Sequence, residues 1–197
     1  PTTSRSDHPL FISSAPLPGA DFVFMPRLFL IGLLCASLIT PAVAERLTGR
    51  IIHVADGDTV TLLTEQNQSV RIRLSGIDAP EKRQPFGTRA REKMTSCAKG
   101  KHAVVDTHKK DRYGRQVSTV TVAGTDCGLE LLKSGLAWYY AAYEKELPTA
   151  KRLPYRHAED NARKMKRGLW QDKNPQAPWY WRKVQRQSAT HRTSLKN

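Results

Sequence analysis

The 197-residue chain predicts a small, mainly β, α+β domain: five short strands interrupted by three helices, the pattern of a partly closed five-stranded barrel of the OB type. Three observations carry this. Short β-branched runs alternate between apolar and polar residues, clearest in Val70, Ile72 and Leu74 against Arg71, Arg73 and Ser75. Turn signals separate the runs, among them Asp56-Gly57. Three segments of helical composition each stop at a glycine, namely Gly100, Gly135 and Gly168. The length fits one domain, at roughly 100–200 residues per domain.

The first 44 residues differ from the rest. Pro1 to Phe24 is rich in Pro and Ser, shows no periodicity, and reads as upstream translation or vector-derived sequence. Met25-Pro26-Arg27 opens an apolar run from Leu28 to Ile39, followed by Pro41 and the small residues Ala42-Val43-Ala44. A positive start, a short apolar stretch and a small-residue cleavage site predict a signal peptide over residues 25–44, removed after Ala44. The alternative is a buried helix or short anchor. The run falls well short of the roughly 20 residues that span a bilayer, so no stable membrane anchor is expected, and Leu34 before Cys35 argues against a lipoprotein. The expected location is the periplasm or the medium.

The following elements build the domain over residues 45–183. Arg46–Val54 and Thr59–Leu63 read as strands joined by the Ala55-Asp56-Gly57 turn. Val70–Ser75 is the third strand, and Pro80 and Pro85 bound an irregular loop. Thr88–Ala98 reads as the first helix, then Ala103–Thr107 and Val117–Val122 as strands around the polar loop Asp111–Gly114. Leu129–Ser134 and Leu153–Lys166 read as the second and third helices, with Pro154 tolerated in a first turn. Residues 184–197 are polar, basic and patternless, a disordered tail.

The formal net charge is +14 and the pI near 10. The first 44 residues hold two Arg and two Asp, so residues 45–197 carry all of it. Such a field draws polyanions, nucleic acid first, although a membrane surface or acidic polymer also fits. Three segments could carry chemistry. Asp56-Gly57-Asp58-Thr59 is a hairpin turn by its simplest reading, yet its carboxylates could serve a hard cation; the EF-hand spacing is absent. Ile77-Asp78-Ala79-Pro80-Glu81 follows Arg73 by five residues, and Pro80 biases Ala79 toward an extended backbone that can turn its carbonyl outward. Asp111-Arg112-Tyr113-Gly114-Arg115 places two guanidiniums beside an aromatic ring, suited to phosphate and base, or simply a solvated turn. The six His are scattered without metal spacing, and no Ser–His pair stands out. Trp179-Tyr180-Trp181 is read as packing the last segment onto the barrel rather than as a base platform.

These three segments, in this order and spacing, resemble the staphylococcal nuclease family. The resemblance runs from about Arg46 to Trp181 and includes Gly135-Leu136-Ala137-Trp138 and Arg167-Gly168-Leu169-Trp170. It implies an OB barrel with three helices and a calcium-dependent nuclease acting on DNA and RNA. It further implies that Asp58, Asp78 and the carbonyl of Ala79 bind calcium, where many relatives have Thr in place of Ala. Glu81 would act on the attacking water, and Arg73 and Arg115 would hold the scissile phosphate. Tyr113 and Arg112 would contact an adjacent phosphate, and Asp56 would support the metal ligands. The implied products carry 3′-phosphate ends. The family's barrel could also bring Cys97 and Cys127 together as a disulfide in an exported protein, the alternative being two buried thiols. A monomer without an obligate protein partner is expected.

Two other readings compete. A catalytically inactive OB barrel could merely bind nucleic acid, but Asp58, Asp78 and Glu81 would repel phosphate unless a cation lay between. A basic exported protein coating acidic polymers has only the charge in its favour.

Overall fold

The computed structural model describes residues 45–194, with side chains over 46–188. The expected leader over residues 1–44 lies outside the described residues. In chain order the strands are β1 (Glu45–Val54), β2 (Thr59–Thr64), β3 (Ser69–Leu74), β4 (Ile77–Asp78), β5 (His102–Lys110), β6 (Gln116–Val122), β7 (Thr125–Asp126) and β8 (Trp138–Tyr139). The α-helices are α1 (Gly87–Ala98), α2 (Cys127–Lys133), α3 (Thr149–Lys164) and α4 (Pro178–Ser194), with 3-10 turns at Ala141–Glu146 and Gly168–Gln171.

Antiparallel ladders run in the order β3-β2-β1-β5-β6, and a parallel pairing of β3 with β6 closes the ring. Five strands therefore form the barrel. The two-residue strands stand outside it: β7 extends β6, and β4 pairs with β8. Alternation decides the core. Leu62, Ile72 and Val105 are fully buried while their strand neighbours are partly or fully exposed, whereas β6 is buried on both faces from Val117 to Val120. One stripe of α1, Ala90, Met94 and Ala98 at four-residue spacing, seals one side of the barrel.

Asp126 fixes the start of α2. Its Oδ1 accepts the backbone N–H groups of Gly128 and Leu129, at 3.0 and 3.1 Å. The same oxygen accepts the Tyr155 hydroxyl at 2.8 Å, and Lys151 pairs with Oδ2 at 2.6 Å. The cap thus satisfies orphan N–H groups and locks α3 against α2 together. The two glycine motifs seen in the sequence meet here. Gly135 and Gly168 lie back to back with positive φ, the Leu169 N–H bonds to the Gly135 carbonyl at 2.8 Å, and a Cβ on either glycine would strike the other's backbone segment. Only glycine permits that approach at that φ.

Cys97 at the end of α1 and Cys127 at the start of α2 are joined by a disulfide with a Cα–Cα distance of 5.9 Å. It closes a loop of 30 residues, which chain-entropy arguments value at about 3–4 kcal/mol.

Two expectations need correction. Among the described residues the α-helices number four, beside two 3-10 turns, not three, because residues 184–194 continue α4 where a disordered tail over 184–197 was expected. The reason is compositional: Val184 to Ser194 contains no Gly or Pro, and Pro178 suits a first turn. Gln185 to Ser188 are polar and exposed, so this turn of the helix needs no apolar stripe. Helix α3 also begins earlier, at Thr149, so Pro154 sits inside it. Among the described residues no helix is long and apolar enough to cross a membrane.

Candidate active site

The β1–β2 turn brings the first acid into place. Gly57 is buried so tightly that a Cβ would meet those of Ala79 and Ala90 at 2.7 and 2.8 Å, which is why the turn can lie against the Ala79 loop. Asp56 accepts the Asp58 N–H at 3.0 Å, and Asp58 in turn accepts the Ala79 N–H on Oδ2 at 2.6 Å. That last bond joins two segments expected to share a cation.

Arg73 faces Thr59 across the β2–β3 ladder, beside Asp58. Its Nη1 lies 3.1 Å from Asp58 Oδ2, and its Nη2 donates to Asp78 Oδ1 at 2.9 Å. One planar fork thus holds both carboxylates side by side. Asp78 reaches this point because β4 pairs with β8, Asp78 opposite Trp138. Strand β8 is itself tied down: the buried Glu159 accepts the Tyr139 N–H at 3.0 Å and pairs with Arg163, whose guanidinium lies over both the Trp138 and the Trp170 ring, these two rings packing edge-on against each other.

Sequence reasoning did not find Arg182. From α4 it grips Asp78 with both nitrogens, Nη1 to Oδ1 at 3.2 Å and Nη2 to Oδ2 at 2.7 Å, and Nη1 also donates to Glu81 Oε1 at 2.7 Å. Glu81 therefore joins the cluster through Arg182. Gln84 was missed as well. Its Oε1 accepts the Glu81 N–H at 3.1 Å and its Nε2 donates to the Gln176 carbonyl at 2.7 Å, tying the Glu81 loop to the segment before α4. Trp179 carries α4 to the site by stacking on Tyr140, with ring centroids 4.9 Å apart, and packing edge-on against Trp138. The packing role expected of the Trp179-Tyr180-Trp181 run is seen in the ring contacts of Trp179, although Trp179 stays 36% exposed and Tyr180 is 51% exposed.

Arg112, Tyr113 and Arg115 gather separately. Asp111 Oδ1 accepts the N–H groups of Tyr113 and Arg115, both at 2.9 Å, and Oδ2 accepts Arg115 Nε at 2.7 Å. The guanidiniums of Arg112 and Arg115 lie 4.9 and 5.5 Å from the Tyr113 ring centre. Arg115 thus sits with Asp111, not with the acids. The link to the acids is the β3–β6 pairing, which sets Arg73 opposite Val117, two residues after Arg115.

In this cluster the acids outnumber the arginines. Asp58, Asp78 and Glu81 face the two guanidiniums of Arg73 and Arg182, with Asp56 behind them. Burial, then the Asp58 charge, pushes the Asp56 carboxyl up to about 7. Burial likewise raises the Asp78 carboxyl, Arg182 and Arg73 pulling it down and Asp58 adding to the rise. The cluster holds more negative charge than its arginines offset. The donor set is all oxygen, which suits a hard cation. Among the described residues, no three acids, histidines or cysteines converge as a ready-made metal cage.

Residues 71–172 match the family described as staphylococcal nuclease homologue. The chain belongs to the staphylococcal nuclease homologue family. A Haemophilus influenzae protein named as an uncharacterised endonuclease is 35% identical over 154 residues, covering 78% of this chain and 83% of the relative. A Shigella flexneri micrococcal nuclease is 35% identical over 145 residues, or 69% of this chain and 80% of its own. The Escherichia coli protein ParB is 38% identical over 154 residues, or 73% and 83%. The span matched to the staphylococcal nuclease homologue family contains Arg73, Asp78, Ala79, Glu81, Arg112, Tyr113 and Arg115; Asp58 precedes it and Arg182 follows it.

Proposed function

We propose that this nuclease-family hydrolase cleaves phosphodiester bonds of DNA and RNA with calcium in the acid–arginine cluster, leaving 3′-phosphate ends, and that it works as an exported protein. The observation that carries the reading is the single guanidinium of Arg73 in contact with both Asp58 and Asp78. A site that only bound nucleic acid would have no use for carboxylates where phosphate must come. The Cys97–Cys127 disulfide supports export, because such bonds persist in oxidising compartments.

The carboxylates of Asp58 and Asp78 and the Ala79 carbonyl would hold calcium, which when bound would offset negative charge on the phosphate. Glu81 takes a proton from the attacking water at its carboxylate oxygen, directly or through one further water. Arg73 and Arg115 fork onto the phosphate oxygens, where negative charge grows in the transition state. Arg112 and Tyr113 hold a neighbouring phosphate and fix the register of the strand. As the new phosphorus–oxygen bond forms, the bond from phosphorus to the 5′-oxygen breaks and that oxygen takes up a proton from solvent to leave as a 5′-hydroxyl, so the phosphate stays on the 3′ side.

Single- and double-stranded DNA and RNA should all be digested in calcium, with magnesium a poor substitute, because magnesium demands a near-ideal octahedron that a flexible carboxylate–carbonyl set does not supply. Chelator should abolish digestion. Full activity in chelator, with metal content verified, would refute the calcium assignment.

A further inference from the structure

The structure holds Asp78 closed. Its side chain is only 1% exposed, and of the two guanidiniums that pair with it Arg182 is the more exposed, at 38% against 15% for Arg73. Asp78 Oδ1 accepts from both Arg73 and Arg182, and Oδ2 accepts from Arg182. A carboxylate gripped on both oxygens by guanidiniums cannot also give its best lone pairs to a divalent cation. A positive charge in contact with Asp78 also repels one that approaches the same oxygens. Cation and Arg182 therefore compete for one carboxylate.

The surrounding packing lets one yield without unfolding the other. Trp179 and Arg182 are three residues apart and share a face of α4. Trp179 docks on Trp138, the cross-strand partner of Asp78, and on Tyr140, so the helix is anchored one turn before the arginine. The guanidinium hangs beyond that anchor on a flexible stem, at the outer side of the cluster. It can swing outward while the stacked rings stay in place.

We infer that Arg182 is a latch on the cation site: it fills the place of the cation in the metal-free protein, keeps Asp78 and Glu81 in position, and is displaced from Asp78 when a divalent cation binds. The inference rests on Asp58 and Asp78 being cation ligands, as argued above. The latch offsets part of the negative charge of an acid cluster that repels itself, at the cost of weaker cation affinity. Its effect on affinity and on metal-free stability must then be opposite in sign, because the contact exists in one state only.

The test uses the purified protein and calcium itself. Arg182→Gln keeps a polar side chain of similar reach but no charge. Titration calorimetry should show calcium binding about tenfold tighter, with the melting temperature in chelator falling by about 3–6 °C and that in saturating calcium unchanged. Unchanged or weaker calcium binding, or an equal loss of stability in both states, would overturn the latch. The wild-type protein supplies a measurement independent of any variant. The Arg182 guanidinium signals in nitrogen-15 NMR should show hindered rotation in chelator and free rotation in calcium, and hindered rotation in both would equally overturn it. Asp58→Asn separates this inference from the one beneath it. If calcium binding survives in Asp58→Asn, the cation reading fails. If it is lost there while Arg182→Gln changes nothing, the latch alone fails.

Discussion

Glu81→Gln is expected to lower turnover by about 10²-fold or more with little change in substrate affinity or in folding. The carboxylate supplies the proton acceptor, and Gln preserves its size while removing that basicity. The loop does not depend on the carboxylate for its shape. The Glu81 backbone N–H is held by Gln84, and Gln84 is held by the Gln176 carbonyl. The Glu81 side chain is 37% exposed, so the swap leaves no buried orphan. Single-turnover cleavage of a defined DNA strand in saturating calcium, with a melting curve beside it, checks the point. A variant that cleaves at the wild-type rate removes Glu81 from the chemistry.

Arg73→Lys is expected to cost about 10²-fold or more in kcat/KM, and this change should also be felt in stability. The guanidinium of Arg73 reaches Asp58, Asp78 and the Leu74 carbonyl at once. An ammonium keeps the charge but cannot occupy that planar set of partners, and in the reaction it cannot offer two parallel donors to a phosphate. Because Asp78 is almost wholly buried, a lost charge-assisted bond there costs about 1.5–3 kcal/mol. Urea unfolding in chelator measures the second effect, and initial rates on DNA measure the first. Wild-type kinetics in a folded Arg73→Lys protein would show that the fork is a structural pairing only.

The sequence carried the barrel because its strands are long enough to show period two. In β3 the alternation of Val70, Ile72 and Leu74 with Arg71 and Arg73 already sorts the core from the site face. It carried the Asp58–Arg73–Asp78 grouping less through any one motif than through their order along the chain. The strands β4 and β8 stayed invisible, since two residues hold no period, yet their pairing delivers Asp78 to Arg73. Arg182 stayed invisible for another reason. It lies 104 residues from Asp78, in a basic stretch whose charges all look alike, so charge alone does not distinguish it from its neighbours. The usable signal was the tryptophan three residues before it. A docked Trp179 fixes which face of α4 turns inward, and Arg182 shares that face. The expected partnership of Arg115 with Arg73 fared differently. The Asp111 turn that makes Arg115 look ready for phosphate is also what binds its guanidinium in the structure.

The central claim is that water attacks phosphorus in this cluster and the 5′-oxygen departs. Cleavage of one defined oligonucleotide in oxygen-18 water with calcium, followed by mass spectrometry of every fragment, tests it most directly. The account predicts fragments ending in a 3′-phosphate that carries one heavy oxygen, each matched by a fragment with an unlabelled 5′-hydroxyl. Fragments with 5′-phosphate and 3′-hydroxyl ends, or an oligonucleotide bound but left intact, would contradict it.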